Sequence, residues 1–181
     1  MHVRLATSVL AAAAAPATAF AVDYLSAEQA ARLMFPDADA FESRAVSLDA
    51  AQLTQLDAQG VRARSAQWPV RVAKQAGATL GYVVTDEVIG KVELIGYAVG
   101  IGVDGNVRQI EILAYRESHG AEIRLPAWRR QFVGKGTGSA LRVGEDIANI
   151  SGATLSCTHV TEGVRRIVAV VALARRSGAL P

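Results

Sequence analysis

The sequence predicts an α+β fold, an antiparallel sheet with N-terminal helices and a C-terminal helix packed on it. Three observations predict it. Residues 25–60 carry helical periodicity and caps. Residues 69–116 turn β-rich, with connections too short for crossover helices, so the strands run antiparallel. Residues 158–176 return to a helical apolar repeat, and helices, then strands, then a helix read as α+β. A chain of 181 residues with a 51% hydrophobic share supports one domain with a substantial core.

Taken in order, MHVRLATSVLAAAAAPATAFA has a short basic start at Arg4 and an alanine-rich apolar run. Ala19 and Ala21 flank Phe20 in an A-x-A pattern, so residues 1–21 read as a secretory signal cleaved after Ala21. An uncleaved anchor is the alternative, since Leu5 to Val22 nearly spans a ~30 Å hydrocarbon core. Against it stand Pro16 and alanine where an anchor favours leucine. Either way the remainder is expected to be exported to the periplasm, at the outer face of the inner membrane.

The expected division is a signal at 1–21, an N-terminal helical segment at 22–69 and a ligand-binding domain at 70–181. LSAEQAARLMF begins a helix with Ser26 as N-cap and Gln29 three residues on, a capping box. Ala30, Leu33 and Met34 make its apolar face, and Pro36 stops it. A polar, acidic connection is expected at 37–47. A second helix then runs from Leu48 to Gly60, with Leu48, Leu53 and Leu56 as its apolar positions.

PVRVAKQ, TLGYVVTDEV, KVELIGYAVGIGVDG and NVRQIEILAYRE follow as strands, the last two joined by Asp104-Gly105-Asn106, a strong hairpin signal. Alternation in the last is imperfect. Pro126 opens a short helix with Trp128 and Phe132 four apart on one face, ended by Gly134, Gly136 and Gly138. In the closing helix Val160, Val164, Ile167, Val168 and Val171 form an amphipathic stripe.

Composition excludes several functions. The net charge of +2 becomes +1 without Arg4, which gives no electrostatic case for nucleic acid. A single cysteine, Cys157, forms no internal disulfide. With no CxxC or CxxCH, and only three scattered histidines, haem, iron–sulfur and zinc sites are not expected.

Three stretches are candidate sites. GKGTGS at 134–139 has the glycines of a phosphate loop in the wrong order: Lys135 precedes Gly136 rather than a hydroxyl residue, so a plain loop is the expected reading. YRESHGAEI places Glu117 and His119 where they could do acid/base work, although polar residues are also what such loops ordinarily contain. In ISGATLSCT, Gly152 lets the backbone turn and Ala153 leaves Thr154 accessible, with Ser151, Ser156 and Thr158 close by. Hydroxyls beside the N-terminus of the last helix suit a phosphate ester. Equally, Thr158 could cap that helix while the other hydroxyls solvate a loop.

SGATLS resembles the flavinylation motif of the FMN-binding domain family, S/T-G-A-T-x-S/T, found in covalent flavin subunits of the Na⁺-translocating NADH:quinone oxidoreductase and of the Rnf electron-transport complex. YRESHGAEI resembles the family's E-T-P-G-L-G segment at Glu117 and Gly120, with Ser118 and His119 replacing Thr and Pro. LPAWRRQFVGK and GVRRIV resemble its neighbouring elements, so the likeness covers roughly residues 78–172.

The resemblance implies FMN joined through its phosphate to Thr154 by a separate flavin transferase that uses FAD and Mg²⁺. It implies Ser151, Gly152, Ala153, Leu155 and Ser156 around the phosphate. Tyr115, Glu117, His119, Gly120, Trp128 and Lys135 are then expected near the ring or ribityl chain, with core packing the competing role for Trp128. Many members carry an acid three positions before the motif, where this chain has Ala148. Asp146 would have to serve from a shifted backbone, or the acid be dispensable.

The implied function is an exported electron carrier working with a membrane redox protein. Alternatives are a non-covalent FMN-binding module and a small flavin-dependent reductase, and a non-redox structural domain comes last.

Overall fold

The computed structural model describes residues 22–181. The expected signal at 1–21 lies outside the described residues. Six strands form one antiparallel sheet: β1 (Val22–Asp23), β2 (Ala40–Ser47), β3 (Gln67–Gln75), β4 (Ala78–Ile89), β5 (Leu94–Gly102) and β6 (Val107–Tyr115), in the order β1-β6-β5-β4-β3-β2. Helices α1 (Ala27–Met34), α2 (Ala50–Ala58), α3 (Pro126–Arg129) and α4 (Thr154–Arg176) complete the α+β fold. Among the described residues, no helix is long and apolar enough to cross a membrane.

The two sheet faces carry different loads. Val72, Tyr82, Val84, Tyr97, Val99 and Ile110 face α4, and the stripe Val160, Val164, Ile167, Val168 and Val171 is buried against them. Each such aliphatic burial contributes about 2 kcal/mol. On the other face Ala73, Val83 and Ala98 receive Ala30, Ala31, Met34 and Phe35. Helix α1 therefore buries Ala31 where the sequence pointed to Leu33, which is exposed.

The capping box of α1 forms as expected, with Gln29 N–H donating to Ser26 Oγ at 3.1 Å and Ser26 N–H to Gln29 Oε1 at 2.8 Å. A second box, Asp49 with Gln52, starts α2 later than Leu48. The β5–β6 hairpin turns at 104–106, where Asp104 accepts the Asn106 N–H. The imperfect alternation in β6 arises from two register shifts in its pairing with β5, at Gly96/Tyr97 and Gly100/Ile101.

Two expectations need correction. The connection expected at 37–47 contains β2, so residues 22–69 hold strands as well as helices. As an edge strand exposed on most of both faces, β2 has no period-2 burial to betray it. Thr158 is not a cap: α4 begins at Thr154, which places Thr158 in the second turn.

Helix α4 crosses the sheet at Gly163. A Cβ there would overlap the Tyr97 hydroxyl and lie 2.7 Å from its Cζ. Tyr97 donates to Asp86 at 2.8 Å, and Asp86 also receives Arg166 Nη1 at 3.1 Å, so the helix is bolted to the sheet beside its closest approach. Gly163→Ala should therefore destabilise by about 2 kcal/mol although alanine favours helix. Thermal unfolding checks this, with Tm expected to fall by roughly 5 °C.

Candidate functional site

The site forms where the start of α4, the loop after β6 and the β4–β5 turn meet. Ala153 N–H donates to Ile150 C=O at 3.0 Å and closes a turn through Ser151 and Gly152. Gly152 has φ +83°, in the left-handed region, which is why glycine suits it. Thr154 is then the first helical residue.

No side chain caps this helix, and its first intrahelical bond runs from Cys157 N–H to Ala153 C=O. The N–H groups of Thr154, Leu155 and Ser156 thus have no intrahelical acceptor, and the helix dipole adds partial positive charge beside them. The Thr154 side chain is exposed, and its Oγ1 accepts from Asn149 Nδ2 at 3.0 Å.

A cleft of about 300 Å³ opens over this helix end, lined by residues 152–156 together with Lys91, Glu117, Ser118 and His119. Of the residues singled out in sequence, Gly152, Ala153, Thr154, Leu155, Ser156, Glu117 and His119 therefore share one cleft, with Ser151 in the adjoining turn. His119 is exposed, with Nδ1 2.9 Å from Ser118 Oγ.

Gly120 lies beneath, at φ +90°, where a Cβ would fall 2.6 Å from the Tyr115 hydroxyl and 2.7 Å from the Ala153 Cβ. Tyr115 ties the floor together: its hydroxyl donates to His119 C=O and sits 3.2 Å from Ser156 Oγ. Burial, reinforced by the Glu117 and Glu122 charges, raises this phenol above its ordinary value despite the Ser156 bond, so it remains a donor.

Lys135 is not part of the cleft. It pairs with Asp146 at 3.1 Å, and its backbone bonds to Val107 at the opposite end of β6. Trp128 is buried in the core against Phe132, ring centroids 5.0 Å apart, and its indole N–H donates to Ala148 C=O at 2.9 Å. It supports the motif loop from below rather than facing the cleft. Asp146 accepts from the Leu141 and Arg142 N–H groups, which leaves it holding its own loop. Cys157 is fully buried, and burial raises its thiol pKa.

Sequence reasoning missed two residues at the site. Asn149 directly follows Ala148, the position of the absent acid, and Lys91 sits on a turn remote in sequence. Glu117 brings that turn in, because its Oε1 accepts from Val92 N–H at 2.6 Å and Glu93 N–H at 2.9 Å. The carboxylate is thus a clamp with its oxygen committed to backbone donors, which answers the acid/base expectation for it.

Desolvation works against ionisation of Glu117, but the Val92, Glu93 and Lys91 N–H groups and the Lys91 charge outweigh it and lower the pKa. A depressed native pKa stabilises fully above the unfolded glutamate value, ~4.3, and is lost as pH falls through the lower native value. Amide-exchange protection at Val92 and Glu93 should accordingly fall in acid below about pH 4. Glu117→Gln should lower that protection at neutral pH and remove the acid step.

Residues 90–169 match the model of the FMN-binding domain family. The fold is similar to Shewanella oneidensis NqrC, with TM-score 0.53 and 14% identity over 80% of this chain and 88% of that one. It is also similar to a subunit of the Na⁺-translocating NADH-quinone reductase from Parabacteroides distasonis, with TM-score 0.50 and 19% identity over 73% of this chain and 76% of that one. At these identities the likeness is one of fold. No curated protein matches the sequence. The matched segment contains the Lys91 turn, the Glu117–Gly120 loop and the start of α4, so every wall of the cleft lies in the part of the chain that matches the FMN-binding domain family.

Proposed function

We propose that this chain is an exported electron-transfer flavoprotein carrying FMN through a phosphodiester on Thr154. The observation that carries the reading is an exposed threonine hydroxyl at the uncapped start of a 23-residue helix, inside an FMN-binding domain. The residues present fit the group. Unpaired N–H donors of Thr154, Leu155 and Ser156 match the oxygens of a phosphodiester, and the open Gly152, with nothing within 4 Å of an added Cβ, leaves room for them.

In this reading each residue has a definite task. The α4 N-terminus holds the phosphate anion, and Lys91 balances its charge. Glu117 keeps Lys91 in place by fixing the turn. Tyr115 and Gly120 seat the loop carrying Ser118 and His119 against Ala153. Exposed Leu155, with Ile89, Val92 and Leu94 on the turn beside the cleft, offers apolar surface suited to a flavin ring. When bound, the flavin supplies one- or two-electron transfer, and the protein sets its position and environment.

A covalent link suits export, since FMN lost outside the cytoplasm could not readily be replaced. The signal-like residues 1–21 support a periplasmic location. The partners that follow are a flavin transferase using FAD and Mg²⁺ and a membrane redox protein. The name of one structural neighbour, a subunit of a Na⁺-translocating NADH-quinone reductase, supports the second.

The full chain, produced with its export signal and a flavin transferase, should gain the mass of one FMN less water. Thr154→Ser should keep this adduct and Thr154→Ala should lose it. Flavin released on denaturation from an unmodified chain would instead establish a non-covalent module. Steady turnover between soluble donor and acceptor, without a membrane partner, would establish a reductase.

A further inference from the structure

We infer that Asn149 is a positioning residue for the attachment hydroxyl, acting as a hydrogen-bond donor to it; the inference rests on the reading of Thr154 as the attachment point. A threonine at the first position of a helix has a side chain free to choose among staggered rotamers. Here Asn149 Nδ2 donates to Thr154 Oγ1 at 3.0 Å and selects one. The position of Asn149 is itself fixed. Ala148, next to it, has its C=O held by the Trp128 indole and its N–H by Gln131 Oε1 at 2.7 Å.

Donation, rather than acceptance, has a chemical consequence. One lone pair of Oγ1 is occupied by the amide, another stays available to attack, and the hydroxyl proton is left unbound by Asn149. In the attachment, the Thr154 Oγ–P bond forms at the riboflavin-side phosphorus of FAD. The P–O bond of the pyrophosphate bridge breaks, AMP leaves, and the hydroxyl proton passes to a general base of the transferase. No oxidation state changes. As the proton departs, negative charge grows on Oγ1, and a donor already in place stabilises it.

The acid that lines the cleft and the acid nearest Asn149 in sequence are committed elsewhere: Glu117 Oε1 holds Val92 and Glu93, and Asp146 holds Leu141, Arg142 and Lys135. In this chain the side chain that reaches the hydroxyl is therefore a neutral amide, one position after Ala148. Neither Asp146 nor an acid at 148 is needed to orient Thr154.

The test follows attachment of FMN to the full chain by a flavin transferase with FAD and Mg²⁺, together with side-chain amide NMR of the unmodified protein. Asn149→Ala should lower kcat for attachment about tenfold, the scale of one lost hydrogen bond, with KM for FAD unchanged. Asn149→Asp, nearly isosteric but an acceptor, should be at least as slow. In the NMR experiment, Thr154→Val should shift the Asn149 side-chain amide resonances.

Equal rates for the wild type and both Asn149 variants would overturn the inference while leaving Thr154 as the attachment point. So would a slow alanine variant beside an aspartate variant as fast as wild type, because Asn149 would then only fill space. Unmoved Asn149 resonances in Thr154→Val would remove the contact itself. A wild-type chain that gains no FMN would sink the reading of Thr154 and this inference together.

Discussion

The close passage of α4 over Tyr97 sets the geometry on which the rest of the molecule depends. Only a residue without a Cβ fits at position 163 while Tyr97 keeps its bond to Asp86. Arg166, one turn further on, reaches the same carboxylate and also donates to Arg62 C=O at 2.8 Å, so the loop after α2 is tied to the same point. Burial, then the Asp86 charge, holds the Tyr97 phenol well above its ordinary pKa, which keeps it a donor in this network. With the helix fixed in depth, its first turn necessarily meets the β4–β5 turn and the loop after β6.

At that meeting point open backbone N–H groups and the Asn149 amide stand at Thr154, Lys91 lines the same cleft, and Glu117 Oε1 is taken up by two backbone donors. A side-chain cap on α4 would have used one of the free N–H groups, and Ala153 at the cap position provides none. The alanine also permits the contact with Gly120 through which Tyr115 joins β6 to the helix start. What looks like a poorly finished helix is thus a set of donors left open, and in the proposed function the flavin phosphate is the anion that satisfies them.

Much of this was legible in the sequence, for identifiable reasons. Ser26 with Gln29, Asp104-Gly105-Asn106 and Pro126 act through local chemistry, and each formed where expected. The α4 stripe follows from periodicity and is buried as expected. Strand β2 escapes a sequence reading because a strand at the sheet edge needs no apolar alternation. The sequence puts the start of α4 four residues late because cap rules look for a side-chain acceptor, and this helix lacks one. Motif likeness puts Lys135 at the site, whereas its charge is spent on Asp146 at the far end of β6. Lys91 and Asn149 could be found only in three dimensions, since what makes them relevant is a clamp from Glu117 and a hydrogen bond to Thr154.

The account depends most on which of the clustered hydroxyls carries the flavin phosphate. Ser151, Ser156 and Thr158 lie within four residues of Thr154, and all fall in the tryptic peptide 143–165. Tandem mass spectrometry of that peptide, from protein matured with a flavin transferase, localises the adduct by backbone fragmentation. The account predicts the full FMN increment on Thr154 alone. An increment on Ser151, Ser156 or Thr158, or an unmodified peptide from protein that still binds flavin, would contradict it.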